Sequence, residues 1–287
     1  MKTQRELRSD SVRERLALLS LCLPSLLLAA VVLYGPLCWL AWQSVYENGH
    51  FTGAYYAQII HEGAYLRIIA TTFEVSILTT AITALLGYPL AYLLAQLPPR
   101  LANVALLAVL APFWTAVLVR TYAWLVLLQR NGLINQTLIQ LGLIQDPLPL
   151  AYNMTATVIG MVHIMLPFMV LPLYAIMRSI PPSYTWAAAS LGASPTRSFW
   201  QIFFPLSLCG FVAGSVLVFI HCLGFFVTPA VLGGGRVVMI AQRISDSVSL
   251  YPTWGPASAL GVVLLTLTVG ILALFARVLR RQQTAMA

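Results

Sequence analysis

Very few side chains in this sequence of 287 residues could hold a charge away from water, and those few set the chemistry open to it. Glu74 and Arg120 stand inside long apolar runs. An unpaired charge at such depth costs several kcal/mol, so each calls for a partner. The two could pair with one another and only fix helix packing, or they could face a passing solute. His163 and His221 fall near the middles of two further runs, where a neutral histidine bonds across helices or marks a gate or proton relay. Cys22, Cys38, Cys209 and Cys222 lie in or beside apolar stretches without metal-type spacing and read as packing residues. The sequence contains no GxxxxGK[ST] phosphate loop, no GxGxxG fingerprint and no HExxH pair, so it carries no recognisable machinery for ATP, dinucleotide or zinc chemistry. Nor do its sparse charges offer the convergent His, Asp or Glu cluster that a membrane-embedded enzyme would need. If the chain works against a gradient, the energy comes from another subunit.

The elements that position these residues are membrane spans. Apolar residues make up 60% of the chain and charged residues 8%, which excludes an ordinary soluble domain. The apolar runs far exceed the roughly 10 residues of a barrel strand, and in lipid every backbone group must be satisfied within its own segment, so the spans are expected to be helices. Six are expected, at Leu16–Trp42, Leu66–Ala95, Val104–Leu128, Asn153–Ile176, Pro205–Leu232 and Pro256–Leu279. Breaks at Pro98-Pro99-Arg100, Arg130-Asn131-Gly132, Pro181-Pro182-Ser183 and Gly233-Gly234-Gly235 punctuate them. No internal repeat or low-complexity linker is visible. The chain therefore divides into a basic tail, residues 1–15, and one transmembrane domain, residues 16–287, with a polar loop over 177–205. The first apolar stretch is too long for a cleaved secretory signal and reads as a retained anchor.

Basic residues give the orientation. The tail, Arg100, the Arg178–Arg197 loop and the Arg277, Arg280, Arg281 terminus hold 11 of the 16 lysines and arginines, all on one side. The positive-inside rule places both termini and the polar loop in the cytoplasm. The net charge of +8 is accounted for by topology and calls for no nucleic-acid partner.

The polar segment Ser183–Pro205, SYTWAAASLGASPTRSFWQIFFP, interrupts two apolar spans and invites a soluble partner. Pro181-Pro182 stops the preceding helix, Ser183 is placed to cap a new one, and Gly192 ends it. Ser194 caps a second helix with Pro195 at its first position and Phe199, Ile202 and Phe203 on one face. A helix, a glycine turn and a second helix are expected; a plain interfacial loop is the alternative.

The spacing Ala187-Ala188, Gly192-Ala193, Ile202 and Pro205 resembles the EAA signature of ABC importer permeases. In that family the loop inserts a coupling helix into a cleft of the ATPase. The family's glutamate position is Trp186 here, and Phe204 stands before Pro205 where the family has leucine. With Ser183 as cap, Trp186 would occupy the third helical position, where glutamate completes a capping box. GYPLAYLLAQLP (87–98), APFWTAVLVRTYAW (111–124), GLIN (132–135), MVHIMLPFMVLPLYA (161–175) and FVTPAVLGGG (226–235) are similar to spermidine/putrescine permease subunits of the PotB type. The resemblance implies an all-α polytopic fold of six transmembrane helices with a cytoplasmic coupling helix between the fourth and fifth. It implies a bacterial inner membrane setting, a second homologous permease, a cytoplasmic ATPase dimer that binds ATP and Mg, and a periplasmic binding protein; Gly233–Gly235 either form an external loop where that protein docks or are just a turn. No cofactor is expected in this chain itself. An extended polycation would need carboxylates and aromatic faces along its path. Glu74, Trp114, Tyr122, Trp124 and Asp246 are the candidates, with Arg120 needing Glu74 to mask it. Trp and Tyr near span ends also serve as interfacial anchors, and these alternatives stay open. Another small organic solute, or iron, is the alternative cargo. A secondary transporter is the competing class, although it would need no such loop.

Overall fold

The computed structural model describes residues 4–47, 49–250 and 253–286, and the side-chain surroundings of residues 23–46, 49–250 and 253–277. The order is α1 (Gln4–Val45), a small antiparallel pair β1 (Tyr46–Glu47) and β2 (His50–Phe51), α2 (Ala54–His61), α3 (Gly63–Gln96), α4 (Pro99–Leu110), α5 (Val117–Leu128) and α6 (Leu133–Gln140). Next come α7 (Met154–Ser179), α8 (Ser183–Ser190), α9 (Pro195–Ser198), α10 (Phe204–Leu223), α11 (Val227–Leu232), α12 (Ile240–Leu250) and α13 (Gly255–Met286). Among the described residues five helices are long and apolar enough to cross a membrane, and the bent pair Pro99–Trp114 and Val117–Gln140, counted as one span, would make six. Helical expectation and structure agree because only helices satisfy so much backbone without water. Residues 4–15 of the expected basic tail continue α1 as helix; Lys2 lies outside the described residues.

The core is a three-helix stack of α3, α7 and α10. Lipid offers no hydrophobic drive between helices, so close approach through small residues has to hold them together. The α3 face that packs inward carries Thr72, Ser76, Thr79, Thr83, Gly87 and Ala91, all buried. A Cβ at Gly87 would fall 2.7 Å from Cγ of Met169, and one at Gly214 in α10 would fall 2.9 Å from Sδ of the same residue. One flexible thioether on α7 thus fills the space that two glycines leave on its neighbours. Of the apolar windows, that of α7 is buried over 67% of its residues and that of α1 over none. α1 rests on α13 at the periphery.

Two spans differ from expectation. The third is not one helix over Val104–Leu128. α4 tightens into a 3-10 turn at Ala111–Trp114, and the chain then bends by 95° before α5 and α6. Pro112 has no N–H to give and closes the ladder, while Thr115 returns both its N–H (3.1 Å) and its hydroxyl (2.7 Å) to the Pro112 carbonyl. The fifth span does not begin at Pro205 or end at Leu232. It runs from Pro195 through a π-helical turn at Phe199–Phe203 to Leu223, and α11 is a separate short helix after Gly224 and Phe225. Pro205 cannot donate to the preceding turn, and one wide turn there lets the helix continue instead of breaking.

Candidate functional site

The polar segment folds as two helical limbs around Gly192. α8 ends in a paired closure: the Gly192 N–H donates to the Ala189 carbonyl at 3.0 Å, and the Ala193 N–H reaches back to the Ala188 carbonyl at 2.9 Å. Gly192 has φ of +81°, a conformation that a side chain would oppose. Ala188 is buried beneath the turn, so the small residues before the glycine serve packing as well as helix propensity. Ser194 caps the second limb, its Oγ accepting from the Arg197 N–H at 3.3 Å. The first cap is not as the sequence suggested. Pro182 holds that position, and Ser183 is the first helical residue with no cap bond from its side chain. Proline at 182 already has the backbone angles to start the turn, and Thr185 Oγ1 donates to its carbonyl at 2.8 Å. Trp186 therefore sits one place later than expected. Its N–H is already paired with the Pro182 carbonyl at 3.1 Å, so no capping box is missing there.

The base of this segment is rigid and aromatic. Tyr92 of α3 meets Phe199 and Phe203 edge-on, with ring centroids 5.3 and 5.1 Å apart. The Tyr88 hydroxyl is hydrogen-bonded to Ser207 Oγ at 2.8 Å. Arg178, in the last turn of α7, donates from Nη1 to the Ala95 and Leu97 carbonyls, tying that helix to the end of α3. Above this base Trp186 is 71% exposed and Leu191 89% exposed. A cavity of about 330 Å³ opens beside Trp186, lined also by Tyr92, Gln96, Thr185 and Phe199. The segment thus sets large exposed apolar side chains on a firm base.

The profile of the family described as "Binding-protein-dependent transport system inner membrane component" matches residues 3–284 of this chain. The chain belongs to this family. It is similar to the spermidine/putrescine transport system permease protein PotB of Salmonella typhimurium strain LT2, 33% identical over 224 residues that cover 78% of this chain and 77% of the relative. The inner membrane ABC transporter permease protein YdcU of Escherichia coli K12 is 31% identical, over 76% of each chain. In fold it matches a chain of the bacterial alginate ABC transporter solved with a periplasmic protein carrying an alginate pentasaccharide. That superposition has a TM-score of 0.80, covers 95% of this chain and 96% of the other, and shares 16% identity. The all-α polytopic permease fold, the multi-pass membrane location and the loop between the fourth and fifth spans agree with membership.

The residues proposed for a transport path are spread over four elements. Glu74 is exposed on α3, on the face opposite the buried hydroxyls. Arg120 and Trp124 share the inward face of α5, whereas Tyr122, 54% exposed, points to its other side. Trp114 is exposed at the bend between α4 and α5, and Asp246 is half-buried on α12. Glu74 and Arg120 form no ion pair: one is on an open face and the other is buried, with Nε and Nη1 lacking acceptors. The sequence placed both inside spans but could not place them on the same side. His163 takes part in a cross-helix bond, its Nδ1 accepting from Trp124 Nε1 at 3.2 Å, and His221 packs on Phe168 with centroids 4.5 Å apart.

Asn135 and Asn153 are organising residues whose roles the sequence did not single out. Asn135 is fully buried; its Nδ2 donates to the Gln129 and Leu148 carbonyls, and its Oδ1 accepts from the Leu148 N–H. Asn153 caps α7 by accepting from the Ala156 N–H, and its own Nδ2 donates to the Pro149 carbonyl. An asparagine just before an apolar run is an N-cap signal that could have been read. Asn135, bonded across 13 residues, offered none.

Proposed function

We propose that this chain is the membrane permease subunit of an ATP-driven importer and forms half of a path for a polyamine such as putrescine or spermidine. What carries the reading is the helix-glycine-helix at Ser183–Pro205, closed by its paired bonds at Gly192 and presenting Trp186 and Leu191 to solvent, in a chain 33% identical to PotB relatives over 78% of its length. In this reading α8 docks on a cytoplasmic ATPase dimer that binds ATP and Mg, and both termini of the permease are cytoplasmic. A second homologous permease completes the path, and a periplasmic binding protein delivers the cargo. Ala187, Ala188, Gly192 and Ala193 shape the docking limb. Trp186 supplies buried aromatic area where relatives would present a carboxylate. Ile202 and Pro205 set the π-turn that joins the limb to the span.

Glu74 is the group we assign to an ammonium of the cargo, since it is the carboxylate inside a span and its face of α3 is open. Trp114 and Tyr122 offer exposed π faces and Asp246 a second acidic point, whereas Arg120 and Trp124, on the inward face of α5, would act from within the packed helices. The test is the complex rebuilt in lipid with its binding protein, with ATP hydrolysis measured against putrescine, spermidine and unrelated solutes. Stimulation by a polyamine is expected. A response to another solute with none to either polyamine would reject the cargo, and Glu74→Gln with unimpaired transport would reject the assignment of that residue.

A further inference from the structure

At the opposite end of α7 from α8, the loops after α5 and before α7 enclose a cleft of about 380 Å³ lined by Gln129, Arg130, Asn131, Pro149, Ala151 and Tyr152. We propose that this cleft seats an acidic side chain of the periplasmic binding protein, an inference that rests on the importer reading above. The side follows from the helix between them. α7 has 26 residues, about 39 Å of rise, and the segment assigned to the ATPase lies at its far end.

The cleft is built rather than incidental. The fully buried Asn135 ties both rims together through the Gln129 and Leu148 backbones, and Asn153 holds the Pro149 carbonyl at 2.6 Å. Gly132 closes the first rim, its N–H bonded to the Gln129 carbonyl at 2.8 Å; a Cβ there would lie 2.5 Å from the Leu127 carbonyl oxygen. Tyr152 is held at φ of +59°, the single non-glycine residue among those described in the left-handed region. Strained backbone of this kind persists where its surroundings over-determine it, and it gathers at functional sites. The surroundings here are a glycine turn: a Cβ on Gly234 would sit 2.6 Å from Cβ of Tyr152, so the ring rests directly on that backbone.

The chemistry of the opening is one-sided. The Arg130 guanidinium and the Gln129 and Asn131 amides are exposed, and none of these side chains has a hydrogen-bond partner among the described residues. Arg236 is exposed on the same glycine turn that supports Tyr152. Asp146, the carboxylate of this loop, does not line the cleft. Preplaced donors on rigid backbone beside a half-exposed aromatic ring suit a carboxylate carried on a protein surface, because ordering costs have been met before the partner arrives. The alginate transporter whose chain shares this fold was solved in complex with a periplasmic protein.

The test uses the complete complex in proteoliposomes, titrated with its binding protein while stimulated ATP hydrolysis is followed. Arg130→Glu and the double change with Arg236→Glu should raise the half-saturating concentration of binding protein roughly tenfold or more, while the complex still purifies with its ATPase subunits. The unmodified complex should need more binding protein as salt rises, and the double variant should lose most of that dependence. Wild-type stimulation with half-saturation unmoved in both variants would overturn this proposal and leave the importer reading standing. A wild-type complex that no cargo-loaded binding protein stimulates would overturn the importer reading and this proposal with it.

Discussion

The two ends of α7 solve the same problem by different means. Both must hold a loop firm at the membrane surface. At the α8 end the firmness comes from backbone and rings: the paired closure at Gly192, the Arg178 tether and the aromatic bed of Tyr88, Tyr92, Phe199 and Phe203. At the far end it comes from amides, with Asn135 and Asn153 bonding loop carbonyls across long stretches of sequence. The first arrangement leaves large apolar side chains facing out, and the second leaves polar donors facing out. In the importer reading proposed above, the first surface suits a tightly held subunit and the second a charged, salt-sensitive contact with a partner that comes and goes.

That contrast can be broken by substitution. The largest effect should come from Asn135→Ala, which strands three backbone groups in a buried setting and should cost about 3 kcal/mol, read as a lowered melting temperature of the purified complex. A melting temperature equal to wild type would show that the amide clasp is dispensable. Gly192→Val should follow, at about 1–2 kcal/mol, because it forces a branched residue to the left-handed conformation. Its damage should register as reduced recovery of the ATPase on the permease, with binding-protein affinity untouched. Ser194→Ala should lose about 1 kcal/mol of cap energy, whereas Ser183→Ala should stay within about 0.5 kcal/mol; equal losses would restore Ser183 as the cap. Smallest in stability is Trp186→Ala, within about 0.5 kcal/mol on account of its exposure, yet ATPase recovery should fall. Full recovery would remove Trp186 from the contact.

How much of this was legible in the sequence follows the same division. The α8 end could be read because its signals are local: Gly192, Ser194 and Pro195 act within a turn of their own positions. Even so, Pro182 took the cap from Ser183, a choice between neighbours that no pattern decides. The helical fold and six spans were visible in hydropathy, but the bend at Pro112 was not, since membrane helices often carry proline without breaking. Glu74 and Arg120 could be seen inside spans, but whether they pair with each other was left open by the sequence and is answered by the faces they occupy, since depth alone says nothing about which face of a helix a residue takes. The clasp at Asn135 depends on a carbonyl 13 residues away, and long-range amide bonds of this kind leave no trace in spacing.

The continuity of Pro195–Leu223 has a mechanical consequence. Twenty-nine residues of helix make a lever about 43 Å long whose short arm is the limb beside α8. A tilt of about 10° at that base would carry the far end by about 7 Å, close to the width of a small solute. The aromatic bed of Tyr92 holds the wide turn at Phe199–Phe203, so the stiffness of that one turn sets how much of a push at the α8 end arrives at the other.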